Sequence, residues 1–413
     1  MGRLLVSTLG AVALLSPAAP ATTWVVNASG GGQFTDIQTA ILASQPGDVL
    51  LVQPGAYAPF TLDRGLTLIG YGTPSVSGTI TIADLPTVET AALVAIEPTR
   101  LEIRQCRGPV LVQDLHQLHS ILLDRCRDVR LSAIGMSPHS SSNPSAGLFV
   151  QRARVELVDC DIRGEDGASC MGIHLAGGNG VECGIGRLHA TRSMLHGGTG
   201  SSCMQAGFYA GSGGIGLRAG GGSDVILAGD ASFSVEGGAQ GTNTWYPNCF
   251  YYGASGAGAV MQPGCAFRTS GVTFQSPIML VGQFCSPTLG TTLLYQGGTF
   301  TQPTPDDPSL TSFGSVVPGG LVQLLLQGPP GASALLRFGR TAIHALDPGI
   351  VIERLTPAAL LVTLGTLPAG GTAGFDWHVP ASWSPGTKLF AQAELTLPGG
   401  EIRRTNSVPF IVR

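Results

Sequence analysis

Trp24-Val25-Val26-Asn27, Phe34-Thr35-Asp36-Ile37-Gln38-Thr39-Ala40-Ile41, Gly47-Asp48-Val49-Leu50-Leu51-Val52-Gln53-Pro54-Gly55-Ala56-Tyr57 and Leu66-Thr67-Leu68-Ile69-Gly70 follow one another within residues 24–72. Thr35 and Gln38 have the spacing of a capping box, and Ile37, Ala40 and Ile41 give the segment behind them one apolar helical face. Val49–Val52 and Leu66–Ile69 are too short for helices and are bounded by glycine and proline, so they read as strands. The order is strand, turn, one short helix, then short strands separated by turns.

Farther on, Leu101-Glu102-Ile103-Arg104-Gln105-Cys106-Arg107 stands 20 residues before Ile121-Leu122-Leu123-Asp124-Arg125-Cys126-Arg127, and Leu148-Phe149-Val150-Gln151-Arg152-Ala153-Arg154 has the same form. Self-similarity at this period belongs to a solenoid with short strands in each turn. Strands without long helices between them cannot build a doubly wound sheet. At about 4.8 Å per rung, 11–13 rungs would make a rod of roughly 50–60 Å. The pattern of residues 31–72 resembles the opening of pectin-lyase-like right-handed parallel β-helix proteins. That resemblance implies that the helix plugs the N-terminal end of the coil, which would otherwise expose apolar core and strand edges.

With 43% hydrophobic and 12% charged residues, the 413-residue chain has ample material for packed cores and is not a disordered tail. A net charge of −4 gives no general attraction to nucleic acid. Residues 1–21 read as a secretory signal: Arg3, an apolar run over Leu4–Leu15, and Ala19-Pro20-Ala21 before the cleavage point. No later run suits a membrane span. The expected organisation is a signal over 1–21, the β-helix over 22–300, a proline-rich linker over 301–312 and an antiparallel β-sandwich over 313–413. In the last part Leu389, Ala391, Ala393, Leu395 and Leu397 alternate with Phe390, Gln392, Glu394 and Thr396, as in a half-buried strand. The module is similar to one that ends many exported proteins of planctomycete-type bacteria. A monomer is expected.

The chemistry is less marked. Asp159 and Asp161 with Arg163 form the densest charged cluster, suited to calcium or to acid–base work on a polysaccharide. Cys160-Asp161-Ile162-Arg163-Gly164 also resembles a strand of pectin methylesterases, but the family's other motifs are not found. A turn that merely shapes the coil is the favoured reading of these residues. No cofactor is expected, and no metal set beyond that calcium option.

Of the 21 arginines, 11 lie between Arg100 and Arg192. The repeat aligns Arg104/Arg107, Arg125/Arg127 and Arg152/Arg154. A ladder of Arg125, Arg127, Arg152 and Arg154 suits uronate or sulfate groups, which match the guanidinium fork. Ten acidic residues share the window and Glu97 lies just before it, so a mutually neutralised face is the competing reading. Trp245, Tyr246 and Tyr251 are sugar-stacking candidates. Residues 197–222 hold 11 glycines, read as tight turns and close backbone contacts.

All nine cysteines lie between Cys106 and Cys285. Cys106 and Cys126 share a repeat position, which permits either a disulfide between adjacent rungs or two stacked thiols. Cys170 with Cys203, and two of Cys249, Cys265 and Cys285, are candidate staples. These features favour an exported or surface protein that binds or organises polysaccharide without chemistry. A uronate lyase or pectinesterase-like enzyme is the alternative, and a purely structural rod is the third reading.

Overall fold

The computed structural model describes residues 21–412 apart from 169–174, 203–209, 229–232, 242–254, 264, 271, 276–292, 296–298, 302–307, 314–315, 340–341, 348–349, 356–357 and 386. The fold is all-β: a right-handed parallel β-helix closed by one short helix, then antiparallel sheets packed as a sandwich.

The helix Ile37–Ala43 turns Ile37, Ala40 and Ile41 into the end of the coil, as their spacing predicts. Its cap differs from the expected one. Asp36, in extended conformation, accepts from the Thr39 amide at 2.9 Å. Gln38 instead bonds both backbone groups of Thr61, tying the plug to the first coil. Asp48 fastens the same end by accepting from the Thr22 amide, the Gln45 amide and the Trp24 indole.

Each coil has three strands. The first face begins at Thr23–Val26 and Val49–Val52 and continues through Thr67–Gly70, Ala91–Val94, 110–113, 129–132, 155–158, 187–191, Ser223–Ala228, Ala266–Ser270 and Thr299–Thr301, all in parallel register. The second face holds 100–104, Ser120–Asp124, 148–151, 181–185, Leu217–Ala219, Ala259–Met261 and Leu293–Tyr295. Asp161–Arg163, Met194–His196, Ser234–Glu236 and Thr273–Gln275 belong to the third.

Single left-handed residues make two of the corners. Gln105, Arg125 and Arg152 turn the chain from the second face to the first with φ of 50–55°, preceded by Asp84 at 56°. Ala95, Asp114, Ala133, Asp159 and Arg192 turn it from the first face to the third. A left-handed position strains most side chains, so each corner is held by the ladder bonds on either side. Inside, the alternate residues form one continuous apolar core from Val26 to Phe267.

The third corner is where the coil opens. Residues 137–147, 164–180, 197–216 and 237–258 leave the third face and return to the second. The close backbone contacts expected of the glycines in 197–222 are present, and Gly220–Ser223 is a tight turn, but the described residues of 197–201 and 211–214 are not tight turns. Apart from the short parallel ladder of Ser140–Ser141 with Asp166–Gly167, the described residues of these excursions run extended without β-pairing, with glycines three residues apart: Gly164/Gly167, Gly177/Gly180, Gly197/Gly200, Gly211/Gly214 and Gly238/Gly241.

The hydrogen bonds share that period. Gly197 and Gly200 donate to Glu236 and Ala239, Gly198 and Ser201 donate to Gly178 and Leu175, and His196 and Thr199 accept from Gly164 and Gly167. Ser201 and Gly198 also accept from Gly211 and Gly214. A β-strand bonds two neighbours; a three-residue screw of the polyproline-II type points its amides in three directions, and segment 197–201 bonds four segments. A Cβ on Gly198, Gly214 or Gly238 would collide with a neighbouring carbonyl, so only glycine fits.

The sandwich has its own core, with Leu324, Leu336, Phe338, Trp377, Ala393, Leu395 and Phe410 buried. One sheet orders Ala358–Thr366, Ser333–Gly339, Lys388–Thr396 and Ile402–Ile411; another holds Ser309–Phe313, Leu321–Gln327 and Thr372–His378. Leu389, Ala391, Ala393 and Leu395 face inward as the alternation predicts, yet Phe390 is buried too. With Ile411 it packs on Ala92, Val94 and Leu111 of the coil's first face, and the Arg130 guanidinium lies 4.8 Å from its ring centre.

Candidate functional site

Cys-Arg and Ala-Arg pairs just past the left-handed corner set the site. In each coil the first residue of the pair points inward and the second outward. The Arg127 amide donates to the Cys106 carbonyl and the Arg154 amide to the Cys126 carbonyl, which places Arg127 over Arg107 and Arg154 over Arg127. Arg154 pairs in register with Arg187, and Arg187 with Asp224. Four consecutive coils therefore carry arginine at one position, about 4.8 Å apart. Beside this column the corner residues Asp84, Gln105, Arg125 and Arg152 form a second.

The expected ladder of Arg125, Arg127, Arg152 and Arg154 is thus brought together, as two adjacent columns. One alignment is corrected. Arg104 pairs with Asp124, not with Arg125, and forms an ion pair with Glu102 at 2.8 Å. Arg187 was not visible in the repeat because the excursion 164–180 separates it from Arg154; the weak signal was Gly186-Arg187-Leu188 in place of Ala153-Arg154-Val155.

Charge around the columns is unevenly met. Arg125 pairs with Asp124 at 2.9 Å and Arg187 with Asp224 at 2.7 Å. Arg107, Arg127 and Arg152 are exposed and form no ion pair with a described residue. Arg154 is half-buried, and its pKa is lowered by burial first and by the charges of Arg187 and Arg127 next, with Asp128 and Asp224 opposing. At the lower end an open groove of about 540 Å³ is lined by Asp84, Leu85, Pro86, Gln105, Arg107 and Arg125.

Beneath the arginines, Cys106 and Cys126 are free, buried thiols stacked in adjacent coils. Contact with the Cys106 sulfur, and then burial, raises the pKa of Cys126, which keeps that thiol protonated. Burial pushes Cys160 and Cys183 up to about 12. Cys265 is also buried and free. Cys170, Cys203, Cys249 and Cys285 lie outside the described residues, as do Trp245, Tyr246 and Tyr251.

Asp159, Asp161 and Arg163 do not converge with Arg154. Asp159 is a left-handed corner residue paired with Arg192. Asp161 and Arg163 point outward from the third face, across the coil from the arginine column. There Asp161 lies 3.7 Å from His196 Nε2, Glu236 lies 3.3 Å from His196 Nδ1, and Arg163 lies 3.6 Å from Asp166. His119 and His139 stack at 4.0 Å near the foot of the glycine segments, and burial followed by the His139 charge lowers the pKa of His119. Among the described residues no three histidine, cysteine or acidic side chains are grouped to hold a metal. No described helix is long and apolar enough to cross a membrane.

No known protein family matches the chain, and no curated protein matches it. Among solved structures, a Siphovirus 9NA tailspike receptor binding domain aligns with 94% of this chain and 98% of its own at 10% identity and a TM-score of 0.22.

Proposed function

We propose that the protein is exported and binds polysaccharide along the corner between the second and first faces, without transforming it. The observation that carries this reading is the run Arg107, Arg127, Arg154 and Arg187 on four successive coils, beginning at a groove that combines apolar, amide and charged side chains. Long-range order supplies the rest: a coil holds its side chains at fixed intervals, so little ordering entropy is lost when a linear polymer is bound. The secretory reading of residues 1–21 gives access to such polymers.

The test is a glycan array paired with an activity screen on uronate polymers, using wild type and an Arg127→Ala/Arg154→Ala variant. Binding that the double variant loses, with no product formed, supports the reading. Release of unsaturated sugars or methanol, abolished by Asp161→Ala, would establish an enzyme instead. Absence of binding to any glycan would leave a structural rod.

A further inference from the structure

We infer that the bound polysaccharide is a polyanion with one anionic group per sugar residue, lying parallel to the coil axis and spanning four coils. This rests on the proposed polysaccharide binding and specifies its chemistry. The direction follows from register: the four arginines are stacked by backbone pairing along the axis, not spread across a face. Their spacing of about 4.8 Å is close to the length of one hexose in an extended chain.

The charge sign follows from the surroundings. Arg107, Arg127 and Arg152 are exposed without an ion pair among the described residues, and Arg154 is pressed between Arg127 and Arg187. A row of like charges with so few counter-ions is relieved by carboxylate or sulfate groups, each of which can take two parallel N–H bonds from a guanidinium.

The ends follow from the residues that interrupt the column. One coil beyond Arg187 the position is Asp224, which holds Arg187 at 2.7 Å and would repel a further anionic group. Below Arg107 the chain carries Leu85 and Pro86, with Asp84 and Gln105 beside them, a setting for a ring face and hydroxyls, not for a charge.

Oligomers of two to eight uronic-acid residues, their methyl esters, and sulfated oligosaccharides of matching lengths separate the possibilities by calorimetric titration. Affinity is expected to rise with each added charged residue up to about four and then level off, and to fall steeply with salt. The uronate and sulfate arms tell which anion is preferred. Arg154→Gln should weaken binding about tenfold or more, while Asp224→Asn should strengthen binding of the longer oligomers. Methyl esters binding as well as the acids, or affinity independent of length, would overturn the inference and leave polysaccharide binding standing. Failure of every oligomer and polymer to bind would remove both.

Discussion

Asp48 gathers three donors at the mouth of the coil, and its titration has a defined consequence. Burial acts to raise its pKa, but the Gln45 and Thr22 amides and the Trp24 indole outweigh that and hold the carboxyl below its ordinary range. The folded pKa is therefore below the unfolded one. The stabilisation is complete above the unfolded value of about 3.9 and is lost as pH falls through the depressed folded value. Asp48→Asn should cost about 2 kcal/mol at pH 7. In chemical denaturation the gap between variant and wild type should close toward pH 3; a gap constant from pH 7 to pH 3 would contradict this assignment. Among the coil residues, the free thiols of Cys106 and Cys126 stand where two Cα atoms are about 4.8 Å apart, inside the range a disulfide spans. A disulfide reagent should link them, and non-reducing peptide mapping should then recover one joined peptide. Recovery of both as labelled thiols after oxidation would set this aside.

At the scale of elements, the glycine segments make the sharpest demand. Gly198→Ala would drive a Cβ into the Glu165 carbonyl, and Gly238→Ala into the Gly198 carbonyl. Backbone cannot yield as a side chain can, so each substitution should lower the melting temperature by several degrees, about 1–3 kcal/mol of overpacking. Ala at Gly370, which has open space around it, serves as the control. Equal melting temperatures for all three would contradict the packing. The strands and the plug helix were legible in sequence because their apolar residues recur at two or at three-to-four. The glycine segments were not, because a three-residue period belongs to neither pattern and their order resides in backbone bonds alone. The slip at Arg104 has a similar origin. A single left-handed corner residue shifts the outward position, and composition does not mark it: Gln105, Arg125 and Arg152 are ordinary side chains there.

For the whole molecule, the two cores are joined by the contact of Phe390 and Ile411 with Ala92, Val94 and Leu111. Ala91–Val94 is buried on both sides, which explains why that strand is apolar throughout. Half of this was readable: an unbroken apolar run announces two covered faces, but not which part of the chain covers the outer one. Phe390→Ala should remove about 3 kcal/mol from the contact and uncover Arg130. Scattering should then show a more extended particle, and limited proteolysis should separate the sandwich from the coil faster. An unchanged profile and cutting rate would mean that the sandwich is held by other contacts. The arginine column became a site only at this scale. Several of the acidic residues that neutralise it in sequence are distributed by the coil to other places, Asp114 and Asp159 to the opposite corner, Asp161 to the third face, Glu165 and Asp166 to the glycine segments, while Asp124 and Asp128 stay beside the columns.

Segment 197–201 is bonded to four neighbours through backbone atoms, every third residue facing the same one. Adding one residue to it would rotate each later amide by a third of a turn, away from its carbonyl and toward the wrong neighbour. Insertions and deletions there can survive only in triplets, matched on the outgoing and returning halves of an excursion. Sequence drift along these shafts is thereby confined to changes that keep the three-residue step.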